Sequence, residues 1–132
     1  MTTFNRRQTN PGLWREVEEL EGDRDGDLSA LEDRGWDAVV DTSGLVPRVV
    51  RQSVERVAAP YYLFVSTRSV YVDFSRPIDE TSPVHGDVES EDVERHYGAL
   101  KAMCERVVRE RRGAIVRPGL IVGPHEPTGR LT

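Results

Sequence analysis

A chain of 132 residues holds one domain of ordinary size and has no room for a second with its own core. Its 18 basic and 23 acidic residues leave a net charge of -5, which argues against a nucleic-acid or anionic-membrane binder driven by bulk charge. A hydrophobic fraction of 37% with 31% charged residues describes a globular chain with a modest core, and a single cysteine, Cys104, excludes an internal disulfide framework or a thiolate-rich zinc site.

No apolar run approaches the length that spans a bilayer. The opening Met1-Thr2-Thr3-Phe4-Asn5-Arg6-Arg7 lacks the apolar segment of a secretory signal, so the default expectation is the cytoplasm. Weak strands are expected at 2–5 and 17–20, followed by a helix at 28–34. A clear strand at 36–41 runs into Thr42-Ser43-Gly44, and a helix at 47–58 keeps Val50, Val54 and Val57 on one face. The apolar run at 61–67 reads as a strand, and the acidic, proline-containing stretch 73–87 as a loop. A long helix at 91–112 follows, with Ser90 as its cap and Val93, Tyr97, Leu100, Cys104 and Val107 on one stripe. Its acids Glu91, Asp92 and Glu94 lie at the start, its bases Arg109, Arg111 and Arg112 at the end, and Gly113 stops it. A last strand at 114–117 completes an alternation of near-continuous apolar strands and helices, the pattern of a parallel sheet with crossover helices.

Two places could carry chemistry. On the long helix, Tyr97-Gly98-Ala99-Leu100-Lys101 puts a phenol and the only lysine of the chain one turn apart on the same face. A neighbouring ammonium stabilises phenolate over phenol, as a tyrosine acid/base needs near neutrality. The same spacing also fits a half-buried tyrosine beside a solvated lysine. The run 61–67 ends in Ser66 and Thr67, and the carboxyl ends of strands in open α/β sheets are where ligands bind. Hydroxyls there serve equally as turn formers.

The order Val65-Ser66-Thr67-Arg68-Ser69-Val70-Tyr71, then Tyr97-Gly98-Ala99-Leu100-Lys101, then Arg117-Pro118-Gly119-Leu120-Ile121-Val122-Gly123-Pro124 resembles the extended short-chain dehydrogenase/reductases, specifically the NAD-dependent epimerase/dehydratase family. The resemblance runs over nearly the whole chain. It implies an α/β fold, a Rossmann-like parallel sheet with flanking helices, NAD(P) as cofactor, and a small carbonyl or nucleotide-sugar-like substrate. It further implies Tyr97 as the general acid/base, Lys101 on the nicotinamide ribose, and Thr67 on the reacting oxygen. Asp41, Thr42, Ser43 and Gly44 would line the cofactor, Asp23 would contact the adenine, and Pro118 and Gly119 would pack near the nicotinamide. Pairing of two copies through the helix with the YxxxK motif is a further implication, although packing on the sheet explains its stripe equally.

Two departures qualify the resemblance. Dehydratases of the family carry an Asp-Glu pair after the threonine, where this chain has Arg68-Ser69, which argues against dehydratase chemistry. None of the 11 glycines forms the family's GxxGxxG turn, and Thr2-Thr3-Phe4-Asn5-Arg6 resembles its second strand. The expectation is therefore a partial domain over 1–132, without the first strand, glycine-rich turn and first helix. In the strand order 3-2-1-4-5-6 the absent strand is central, so the sheet should split into halves with two unpaired edges, or else close by pairing its second strand with its fourth. Asn5-Arg6-Arg7 after the first strand leans toward NADP, with Arg6 at the 2′-phosphate. The competing expectation is a catalytically silent remnant or a scaffold for a partner chain or RNA.

Overall fold

The computed structural model, which describes residues 1–8, 12, 15–121 and 123, is mixed α/β with two small parallel sheets and two helices. Strands β1 (Thr2–Asn5) and β2 (Glu18–Glu21) pair in parallel from Thr2 opposite Glu18 to Asn5 opposite Glu21. The second sheet has the order β3-β4-β5, formed by Ala38–Asp41, Tyr61–Val65 and Ala114–Val116. Its parallel pairings need long crossovers, which helix α1 (Pro47–Arg56) supplies between β3 and β4 and helix α2 (Val93–Glu110) between β4 and β5. The sheets do not pair with one another, so the outcome is the split arrangement and not closure of β1 on β3.

Alternation along β4 sorts its side chains onto two faces. Tyr62 and Phe64 turn toward the helices and, with Val50, Cys104, Val107 and Val108, form the main buried cluster, against which Val39, Val54 and Ile115 pack. Burial pushes the Cys104 thiol up to about 12, so it behaves as a small core apolar group rather than a nucleophile. The opposite face bears Ala38, Val40, Tyr61, Leu63, Val65, Ala114 and Val116 by register. It is open, with Val40 61% and Tyr61 72% exposed, although parallel sheets are ordinarily covered on both faces.

Local chemistry sets the helix ends. Pro47 opens α1, where its missing N–H costs nothing. The guanidinium of Arg111, just beyond α2, donates to Val57 O and Ala59 O at 2.9 Å each and also to Val54 O, satisfying carbonyls at the end of α1. Asp92, not Ser90, caps α2 by accepting from Arg95 N at 3.2 Å, while Ser90 Oγ accepts from Asp92 N at 3.1 Å. At the other end Arg112 takes the left-handed turn (φ 60°) and Gly113 N donates to Val108 O at 3.0 Å. A Cβ on Gly113 would lie 2.5 Å from Val108 Cγ1, which explains the glycine.

The helix expected at 28–34 shrinks to one 3-10 turn, Ser29–Leu31. Seven residues give too few hydrogen bonds to offset nucleation, Asp33 adopts a left-handed φ of 55°, and Trp36 Nε1 donates to Leu31 O at 3.2 Å, closing the segment as a turn. Strand β3 starts at Ala38 rather than at 36, and β4 ends at Val65 because Thr67 already caps the next turn.

One buried ionic group joins the loop after β2 to the second sheet. Arg24 donates from Nη1 and Nη2 to Asp41 Oδ1 and Oδ2 at 2.6 and 2.8 Å, and to Ser43 Oγ and Ser53 Oγ at 3.0 and 3.2 Å. The Tyr62 hydroxyl adds a bond to Asp41 Oδ2 at 2.9 Å. Burial opposes the Asp41 charge, but Arg24 and Tyr62 outweigh it and hold the carboxyl below its ordinary 3.8. The Tyr62 phenol is raised by that burial and by the Asp41 charge.

Removing the guanidinium by Arg24→Met leaves Asp41 charged and unpaired, at a cost of about 3–5 kcal/mol in urea unfolding. The exposed Arg48→Gln should hardly move the midpoint. Because the folded Asp41 pKa is depressed, its contribution is complete above pH ~4 and is lost as pH falls through the lowered folded value. An Arg24→Met midpoint equal to the parent's would remove this network as the tie between the sheets.

Candidate active site

The carboxyl ends of β3 and β4 and the middle of α2 bring most of the expected residues to one end of the second sheet. Lys101 is the centre of this cluster. Its side chain is 2% exposed, and Nζ donates to Gly44 O at 2.7 Å and to Val65 O at 2.8 Å. The ammonium also sits 4.1 Å from the Phe64 ring centre. Burial draws its pKa below the ordinary lysine value. The solvated lysine of the alternative reading is thus excluded: Lys101 ties α2 to the ends of both strands.

Gly44 is itself closely enclosed, since a Cβ there would lie 2.5 Å from Phe64 Cε2 and 2.7 Å from Val50 Cγ2. Tyr97, one turn before Lys101, is 38% exposed and so stands at the margin of the stripe of which Leu100, Cys104 and Val107 are the buried part. Thr67 is half-buried two residues after β4, where Oγ1 accepts from Ser69 N at 3.1 Å and caps the 3-10 turn Arg68–Val70. Its hydroxyl hydrogen stays available to an acceptor.

The loops complete the site unevenly. Pro118 O accepts from Arg68 N at 3.0 Å, which holds the segment after β5 against the turn that follows Thr67, and Gly119 is exposed beside Arg68. Thr42 and Ser43 are exposed after β3, with Ser43 Oγ accepting from Arg24. Asp41 itself is buried and consumed by Arg24 and Tyr62, so it serves as a structural carboxylate rather than a group open to a ligand. Asp23 is likewise engaged in its own loop, through Oδ1 accepting from Asp25 N at 3.0 Å and a backbone bridge to Asp27. Arg6 lies exposed just past β1, away from the Lys101 cluster in the chain and on the other sheet. Of the motif 117–124, Val122 and Pro124 lie outside the described residues.

Two determinants escaped the sequence reading. Arg24 gave no periodic signal, being a single arginine in a loop. Glu105 did give one, as an acid falling among the buried positions of α2: it is 1% exposed and accepts from Arg117 Nε and Nη2 at 2.8 and 2.6 Å. The Arg117 guanidinium lies 4.7 Å from the Tyr71 ring centre, so this fork fixes the start of the loop holding Pro118 and Gly119.

No protein-family model matches the chain, and no curated protein matches it either. The assignment of chemistry therefore rests on the residues themselves.

Lys101→Met strips two buried carbonyls of their donor and should cost about 1–3 kcal/mol of stability. Tyr97→Phe, altering a half-exposed hydroxyl, should stay within ~0.5 kcal/mol of the parent. Thermal unfolding of the two variants side by side measures this contrast, and equal midpoints would contradict the clamp role of Lys101.

Proposed function

We propose that the chain is a partial Rossmann-like domain of an NAD(P)-dependent oxidoreductase or epimerase, acting on a small carbonyl or sugar-like substrate. The observation that carries this reading is the bond of Lys101, one turn after Tyr97 on α2, to Val65 O at the carboxyl end of parallel strand β4, two residues before Thr67. The strand order supports it as well. Two sheets ordered β1-β2 and β3-β4-β5, each parallel and each ending in a free edge strand, are what a 3-2-1-4-5-6 sheet leaves when its central strand is taken out.

The fit to a dinucleotide is one-sided. Lys101 has spent two of its three N–H donors on Gly44 O and Val65 O, which leaves one for a ribose hydroxyl. Exposed Thr42 and Ser43 can line the path, and Arg6 suits a 2′-phosphate, which favours NADP. Among the described residues, no glycine-rich turn runs from a strand into a helix to cradle the pyrophosphate. When bound, the nicotinamide would supply the hydride acceptor or donor. The residues of the chain handle the proton: Thr67 donates a hydrogen bond to the reacting oxygen, and Tyr97 takes or returns that oxygen's proton.

A second reading, a scaffold for a partner chain, draws on the exposed apolar face carrying Val40 and Tyr61 and on the free strand edges. Calorimetric titration with NADP and NAD separates the two. The 132 residues alone should show no saturable binding. A version preceded by a strand, GxxGxxG turn and helix should bind NADP more tightly than NAD. In that version Tyr97→Phe should keep nucleotide affinity and lose about 10² to 10⁴-fold in turnover across a panel of carbonyl substrates. Absence of nucleotide binding by the extended version, or a Tyr97→Phe variant with over half the parent turnover, would overturn the enzyme reading in favour of the scaffold.

A further inference from the structure

Between the turn after Thr67 and the first turns of α2 lies a cleft of about 330 Å³, lined by Ser69, His85, Asp87, Arg95 and His96 among others. It is distinct from the Lys101 cluster but joined to it in the chain, since Ser69 comes two residues after Thr67 and His96 and Gly98 flank Tyr97. Tyr97 itself is not part of its lining. The walls are held in place. His85 N donates to Val70 O at 2.8 Å, and Gly98 packs so closely on the Ser69 carbonyl that no Cβ could be accommodated. His96 leaves the helical conformation (φ -124°, ψ 24°), interrupting α2 at the cleft.

The cleft holds several unused hydrogen-bond donors. Among the described residues, no hydrogen bond is made by the Ser69 hydroxyl or by the imidazole of His85 or His96. Arg95 contacts Asp92 through Nε at 3.4 Å, and its side chain is 81% exposed. The acid on the rim, Asp87, is already neutralised by Arg106. Two imidazoles could also be metal ligands, but no group of three metal-ligating side chains occurs among the described residues. An acceptor-only ligand of negative charge meets a hydroxyl, two ring N–H groups and a guanidinium fork.

We infer that this cleft binds an oxyanion, a phosphate or carboxylate group, through Arg95, His85, His96 and Ser69. On the proposed function it would orient an acidic group of the substrate, and that role rests on the proposed reading. The binding itself does not. The test uses the 132-residue chain, with imidazole and backbone amide resonances followed by NMR while inorganic phosphate, or separately acetate, replaces chloride at constant ionic strength. Saturable shifts of His85 and His96 together are expected with at least one of the two anions, and which one saturates identifies the group. Arg95→Gln, at an exposed position that does not threaten folding, should weaken that binding at least tenfold, and His85→Asn with His96→Asn should abolish it. Arg76→Gln, on the neighbouring loop, should leave it unchanged. Shifts that grow linearly and spread over many arginines, or an Arg95→Gln variant with the parent's affinity, would overturn the inference. Neither outcome depends on nucleotide binding or turnover, so this site can fail while the enzyme reading stands, and the reverse.

Discussion

The carboxylate of Asp41 is the constraint on which the rest of the molecule depends. It ends β3, lies buried, and receives both terminal nitrogens of Arg24, the hydroxyl of Tyr62 and the amide of Ser43. A carboxylate taken out of water is costly unless its lone pairs are filled, and here each oxygen has at least two donors. Because Arg24 comes from the loop after β2, satisfying this one charge also decides where the two-stranded sheet sits against the three-stranded one. Backbone pairing contributes nothing to that junction, since β1 and β3 share no ladder.

A second ionic group works on the same principle at the other side of β4. Lys101 fills the carbonyl of Gly44, in the loop after β3, and that of Val65, the last residue of β4, and Glu105, one turn further along α2, receives the fork of Arg117 after β5. All three strand ends are thus fastened to charged groups rather than to apolar packing, which concentrates below, around Phe64 and Val108. The arrangement places fixed charge and unspent donors at the carboxyl edge of the sheet, where Thr67, Tyr97, Thr42 and Ser43 stay at least partly exposed.

Much of this was legible from the amino-acid order. The parallel sheet of β3, β4 and β5 follows from apolar runs separated by helix-period segments, and α2 follows from a stripe whose members Leu100, Cys104 and Val107 are buried as their spacing requires. What escaped is set by tertiary partners. The segment 28–34 has helical spacing, yet one buried anchor, Leu28, and a left-handed Asp33 make it a turn. Asp41 and Asp23 looked available to a ligand because a sequence does not display who neutralises a carboxylate; Arg24 does so for the first, and a backbone amide occupies the second. Lys101 could be placed on a face of its helix but not in depth, because depth depends on the carbonyl partners, Gly44 O and Val65 O, that tertiary packing brings to its ammonium.

Gly98 sets a comparable limit on rotation. Its α-carbon rests against the Ser69 carbonyl with no room for a methyl group. Every neighbouring position on α2 bears a side chain, so turning the helix by one residue in either direction would drive Tyr97 or Ala99 into that carbonyl. The contact acts as an index notch: it permits a single angular setting of α2, and that setting is the one that sinks Lys101 between two strand ends while leaving the Tyr97 hydroxyl at the surface. The angular precision of the phenol is thereby inherited from an atom that is absent.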